Sequence, residues 1–108
     1  MQYKKLKLFT DGGARGNPGP AGIGAVVLDE DDKVIAEVSE YIGEGTNNQA
    51  EYKALIAGLK KVKEFNVLEL EVFLDSELVV KQLNREYKVK DANLAPLFLQ
   101  VYNLSLSF

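Results

Sequence analysis

The residues of this chain whose types could do chemistry are acids. The sequence holds no histidine and no cysteine, which removes imidazole bases, thiolate nucleophiles and His or Cys metal ligands. Any reaction must rest on carboxylates, lysines or hydroxyls. Asp11 closes an alternating segment, LKLFTD, and is followed by Gly12, Gly13, Gly16, Pro18, Gly19 and Pro20, a turn-prone stretch that lets a ligand or metal come close. Asp75 closes LEVFLD, with the same alternation, a phenylalanine in the same place (Phe73, like Phe9) and the same terminal aspartate. Glu51 sits four residues before Leu55 at the start of an apolar helical stripe. An acid there costs energy unless it is paired or binds a cation. Each residue also has a plainer reading: a turn former at Asp11, a helix cap at Asp75, an early-helix acid favoured by the dipole at Glu51. The glycines do not make a phosphate loop, since no GK[ST] closes them and no G-x-G-x-x-G opens a helix.

The elements that must position these acids can be taken in order. Strands are expected at about Lys4 to Thr10, Ala21 to Leu28 and Val34 to Tyr41, with the first stopping at Asp11. Short connections make them an antiparallel meander. Asp29 to Asp32 read as a solvated hairpin tip, their spacing fitting no calcium loop. Thr46 with Gln49 three residues on has the form of a capping box, and helix formers with Leu55, Leu59 and Val62 on one stripe run to about Phe65. A fourth strand is expected at about Glu69 to Leu74 and a short helix at about Glu77 to Leu83. Asn84 to Lys90 is a polar, basic linker. Asn93 and Pro96 can start a last helix with Leu94, Leu97, Phe98 and Val101 on one face. The tail from Leu104 to Phe108 alternates like a strand.

Strand three, helix and strand four form a crossover unit, so those two strands run parallel. With strand four beyond strand one, the order is 3-2-1-4 and strands one and four are parallel neighbours. Asp11 and Asp75 then stand side by side at a spacing of roughly 4.8 Å, with Glu51 above them on the crossover helix. Three like charges this close call for a cation. Oxygen ligands alone favour a hard one, Mg2+ or Mn2+.

At this point a family resemblance applies. DGGARGNPGPAG, TNNQAEY and DSELVVKQLN, in this order and spacing, resemble ribonuclease H of type 1, in the short lineage without an inserted basic handle. The likeness covers nearly the whole chain. It implies an α/β ribonuclease H-like fold with a mixed sheet of order 3-2-1-4(-5), and cleavage of the RNA strand of RNA/DNA hybrids with Mg2+ or Mn2+. It implies that Asp11, Glu51 and Asp75 are catalytic and bind the metal. It further implies that Asn17, Asn48 and Gln49 contact the minor groove of the hybrid and that the backbone of Gly13 meets the RNA. Short amides suit groove edges, and 2′-hydroxyls mark RNA from DNA. Lys88 and Lys90 are weaker candidates for phosphate contact, a solvated linker being the plainer reading.

Family members continue into a fifth strand and a final helix with a fourth carboxylate, whereas this sequence stops at Phe108. Residues 1–108 are therefore expected to form one C-terminally incomplete domain that holds one metal well and a second poorly, with reduced turnover. The rivals are a hybrid-binding core with weak or no catalysis, and one half of an assembly completed by another chain. Self-association through strand four or the tail is expected, because exposed edges recruit strands. The formal net charge of −3 argues weakly against a nucleic-acid partner, although site carboxylates can mask a local basic patch. No apolar run reaches the ~20 residues of a membrane helix, and Met1 leads into no signal-like segment. The default expectation is a cytoplasmic protein with no membrane partner.

Overall fold

The computed structural model describes residues 2–108. The elements run β1 (Gln2–Ala14), β2 (Gly19–Leu28), β3 (Val34–Gly45), α1 (Asn47–Val62), β4 (Asn66–Leu74), α2 (Glu77–Leu83) and α3 (Ala95–Ser105). The described strands form one sheet in the order β3-β2-β1-β4. β1 pairs antiparallel with β2 and parallel with β4, and β2 pairs antiparallel with β3. This is the mixed sheet that the crossover rule predicts.

Alternation decides which face is covered. Leu6, Leu8 and Thr10 of β1 and Ala21, Ile23, Ala25 and Val27 of β2 are buried under α1, while Phe9 and Asp11, on the opposite face, are exposed. From α1 come Tyr52, Leu55, Ile56, Leu59 and Val62, and from α2 and α3 come Val79 and Val101, closing one core. Gly58 allows the close approach of α1 to the sheet, since a Cβ there would stand 2.8 Å from Leu8 Cδ1. At the other end of β1, the acidic hairpin tip folds back over the strand. Asp29 Oδ1 accepts from the N–H groups of Asp31 and Lys33, and Asp32 pairs with Lys7 at 2.8 Å. No helix among the described residues is long and apolar enough to cross a membrane.

Four expectations are corrected. β1 does not stop at Asp11 but runs to Ala14, pairing Asp11 with Gly24 and Gly13 with Gly22. The chain turns only afterwards, through Gly16 (φ 72°) and Pro18. Gly12 is glycine for closeness and not for turning: a Cβ there would lie 2.3 Å from the Ala50 carbonyl oxygen. The helix α1 stops at Val62 and not Phe65, because Phe65 swings in to pack edge-on against Tyr3 at 5.9 Å and β4 starts at once at Asn66. The tail is not a strand. Leu104 and Ser105 belong to α3, and Ser107 and Phe108 donate to the carbonyls of Leu104 and Ser105. Local helical bonds outcompete so short an alternating pattern. Nor does Asn93 start α3: Asp91 Oδ1 accepts from Asn93 N–H and the Asp91 carbonyl receives Leu94 and Ala95.

Candidate active site

The register puts the two aspartates next to each other. Thr10 and Leu74 are the last paired positions of β1 and β4, so Asp11 and Asp75 follow immediately on adjacent parallel strands. The phenylalanines two residues earlier confirm the alignment, with Phe9 and Phe73 stacked at 4.7 Å and 12°. Asp11 and Asp75 are both exposed and line one shallow cleft with Gly24, Ser39 and that aromatic pair. An apolar groove lies elsewhere, between β4, α2 and α3, and includes none of the three site acids.

Glu51 stands on α1 within range of the charges of both aspartates. Its side chain is buried, at 9% exposure, and its Oε1 accepts from Gly12 N–H at 3.0 Å. The bare Gly12 backbone is what lets β1 pass close enough to α1 for this bond. Burial pushes the Glu51 carboxyl above its ordinary value; the Gly12 hydrogen bond opposes that shift, and the negative charges of Asp11 and Asp75 add to it. Helix α1 has no acid in its first turn, so the dipole reading of Glu51 does not apply. A carboxylate that is desolvated and faces two like charges is poorly satisfied by protein alone. As the side chains stand, no three acids among the described residues are gathered tightly enough to enclose an ion. The donor set nonetheless fits one: two exposed aspartates free to rotate, one fixed glutamate, and oxygen ligands only.

Beside the acids, the β1–β2 loop is stitched to the start of α1. Thr46 and Gln49 form the capping box, with Gln49 N–H donating to Thr46 Oγ1 at 3.1 Å and Thr46 N–H to Gln49 Oε1 at 2.8 Å. Asn17 Oδ1 accepts from Asn47 N–H at 3.0 Å, and Asn47 Oδ1 accepts from Ala14 N–H at 2.8 Å. The oxygens of Asn17 and Gln49 are thus engaged by backbone donors, and their NH2 groups are left as hydrogen-bond donors. Asn48 is half-buried between Asn47 and Gln49, and Gly13 lies at the β1 end of the same rim. Lys88 and Lys90 are exposed in the loop between α2 and α3, away from this rim in sequence and in no ion pair among the described residues. The sequence pattern does not single out Asn47 or Gly12. Their partners are 30 to 39 residues away, so no local signal marks them.

Comparison with known proteins agrees with this geometry. The reverse transcriptase-like family profile matches residues 9–108. The chain is 47% identical over 105 residues to the bifunctional protein Rv2228c of Mycobacterium tuberculosis, covering 96% of this chain and 29% of that protein. The structure of the N-terminal RNase H domain of Rv2228c superposes with a TM-score of 0.93 at 46% identity, over 97% of this chain and 76% of that one. LC11-RNase H1, solved in complex with an RNA/DNA hybrid, gives 0.89 at 45% identity over 94% of this chain and 77% of that one. The chain thus spans under a third of the length of the curated relative and about three quarters of the solved domains. With the aspartates adjacent, the glutamate within range of their charges and likenesses at this level, the chain belongs to the type 1 ribonuclease H family.

Proposed function

We propose that the chain is an endonuclease that hydrolyses the RNA strand of RNA/DNA hybrids with Mg2+ or Mn2+ held by Asp11, Glu51 and Asp75. The observation that carries the reading is the meeting of two exposed aspartates, each just past the last paired position of β1 and β4, with a buried, charge-strained glutamate. Bound divalent cations would supply charge stabilisation to a phosphodiester under in-line attack. The residues of the chain do the rest. Glu51, pinned by Gly12, gives the site a fixed wall, and Asp11 and Asp75 are free to adjust to a ligand. Asn17, Asn48 and Gln49 face the minor groove. With two of their oxygens engaged, they offer donors to the acceptors that groove edges and 2′-hydroxyls present. Gly13, without a side chain, lets the RNA backbone approach. The hybrid carried by LC11-RNase H1 supports this substrate class. Self-association through the free edge of β4 belongs to the same proposal.

The test is cleavage of a labelled hybrid in Mg2+ and in Mn2+, beside Asp11→Asn. The expected result is cutting of the RNA strand alone, abolished in the variant. Tight hybrid binding with no cleavage in either metal would favour the rival reading of a binding core. Reversing the charge of both Lys88 and Lys90 checks the weaker candidates. Phosphate contact predicts a salt slope shallower by about one for each lysine, and an unchanged slope makes the segment a solvated linker.

A further inference from the structure

Tyr52 follows Glu51 directly and is fully buried, and its hydroxyl donates to Gln82 Oε1 at 2.6 Å. Gln82 is itself buried at 5% exposure on α2. This is the side-chain hydrogen bond that joins α1 to α2 among the described residues. Its place in the chain matters. Glu51 stands one residue before Tyr52, and Asp75 sits in the short joint between β4 and α2. β4 holds that joint on one side through the pairing of Leu74 with Thr10. On the other side is α2, seven residues long, too short to be stable alone. α2 is held by Val79 and Leu83 against the core, the Ser76 cap at 3.3 Å and the Tyr52–Gln82 bond.

These restraints are not equivalent. An apolar contact is non-directional and tolerates small slides. A short hydrogen bond between two buried groups is directional, and breaking it orphans polar atoms away from water. The charges of Asp11 and Asp75 act on Glu51, and like charges favour separation of α1 from the Asp75 joint, a movement that a directional bond between α1 and α2 opposes. We propose that Tyr52 and Gln82 are a positioning pair whose bond sets the separation of Glu51 from Asp75, and with it the affinity for a divalent cation. The inference rests on the reading of those acids as one cation site. Neither Tyr52 nor Gln82 touches the cleft.

The test is a cycle of Tyr52→Phe, Gln82→Leu and the double variant in the 108-residue chain, read by Mn2+ titration calorimetry, thermal unfolding and hybrid cleavage. Removing one partner orphans the other, whereas removing both leaves no orphan, so stability should recover in the double variant. A merely structural role predicts that Mn2+ affinity and kcat recover with it. A positioning role predicts that they stay down, by roughly tenfold in Mn2+ affinity as for other supports of metal ligands, with KM for the hybrid little changed. Recovery of Mn2+ affinity in the double variant overturns the proposal. Should the variants fail to fold, amide exchange in the unaltered chain decides. By reciprocity, saturating Mn2+ should slow exchange of the Val79 to Gln82 amides, and unchanged exchange overturns the proposal. Asp11→Asn is the control. If it loses Mn2+ binding while the double variant binds normally, the positioning pair alone is wrong. If it binds Mn2+ like the unaltered chain, the site reading beneath is wrong and the pair falls with it.

Discussion

Glu51 is the residue at which burial and like charge act together. Its carboxyl is raised above the ordinary 4.5 by desolvation first, against the Gly12 hydrogen bond, with Asp11 and Asp75 adding to the rise. A raised carboxyl means that the folded state holds the proton more tightly than the unfolded chain. Its contribution therefore favours folding fully below the ordinary value and is lost as the pH climbs through the folded value. Glu51→Gln keeps an oxygen to accept from Gly12 and removes the charge. We expect its melting temperature at neutral pH, without divalent cations, to exceed that of the unaltered chain. The scale is about 4–8 °C for each kcal/mol in a domain of this size. The gap should close below pH 4.5, where Glu51 itself is neutral. Unfolding scans at pH 4 and pH 7 check this, and an equal gap at both would remove charge strain as the cause. Asp11→Asn should give a smaller gain of the same sign. The three acids were legible as candidates because LKLFTD and LEVFLD repeat one strand pattern and Glu51 falls on the apolar stripe of a helix, although only Asp75 lies at an element boundary, with Asp11 inside β1 and Glu51 past the first turn of α1. The strain on Glu51 was only half legible: its place on an apolar stripe predicted a cost, but the Gly12 bond that moderates it spans 39 residues.

At the scale of elements, the start of α1 is the part that local sequence determines best and tertiary contacts complete. The capping box of Thr46 and Gln49 was legible because it is a three-residue pattern with a direct backbone consequence. Asn47 was not, because its amide works across the β1–β2 loop. Thr46→Ala should cost about 0.5–2 kcal/mol, because Gln49 N–H loses its acceptor, Thr46 Oγ1. Asn47→Ala should cost about 0.5–1.5 kcal/mol for its lost bond to Ala14. In the proposed enzyme both should raise KM for the hybrid more than they lower kcat, since the loop and helix end carry the groove-facing amides and not the acids. Denaturant unfolding beside steady-state cleavage separates the two effects, and an unchanged KM in both variants would detach this rim from substrate binding. The sheet order was readable from a crossover rule and a repeated strand motif. The length of β1 was not, because a glycine run signals a turn and a close backbone approach with the same letters. Gly16 supplies the turn and Gly12 the close approach.

At the scale of the molecule, β4 is an edge strand of the sheet among the described residues. It is paired to β1 on one side, and its other edge has no partner among the described residues. Leu68 is 71% exposed and Val72 38%, and the strand borders an apolar groove lined by Leu70, Val80, Leu83 and Phe98. The chain beyond β4 is helix and loop, and the tail that could have paired with it is helical and turned. Free N–H and C=O groups along a strand are matched best by another strand, so the occupant expected for the 108-residue chain is β4 of a second molecule. Charge opposes this only in part, because Lys5 pairs with both Glu69 and Glu71. Light scattering over a concentration series should therefore show reversible dimers. Burial of a leucine side chain contributes about 1.5–3 kcal/mol, and 1.4 kcal/mol is tenfold in affinity. Leu68→Lys should accordingly weaken the dimer at least about tenfold. A monomer at high concentration with slow amide exchange along β4 would mean the edge is shielded within one polypeptide, and the dimer would be ruled out. A dimer indifferent to Leu68→Lys would move the contact off this edge, to the exposed Phe9 and Phe73 face of the sheet.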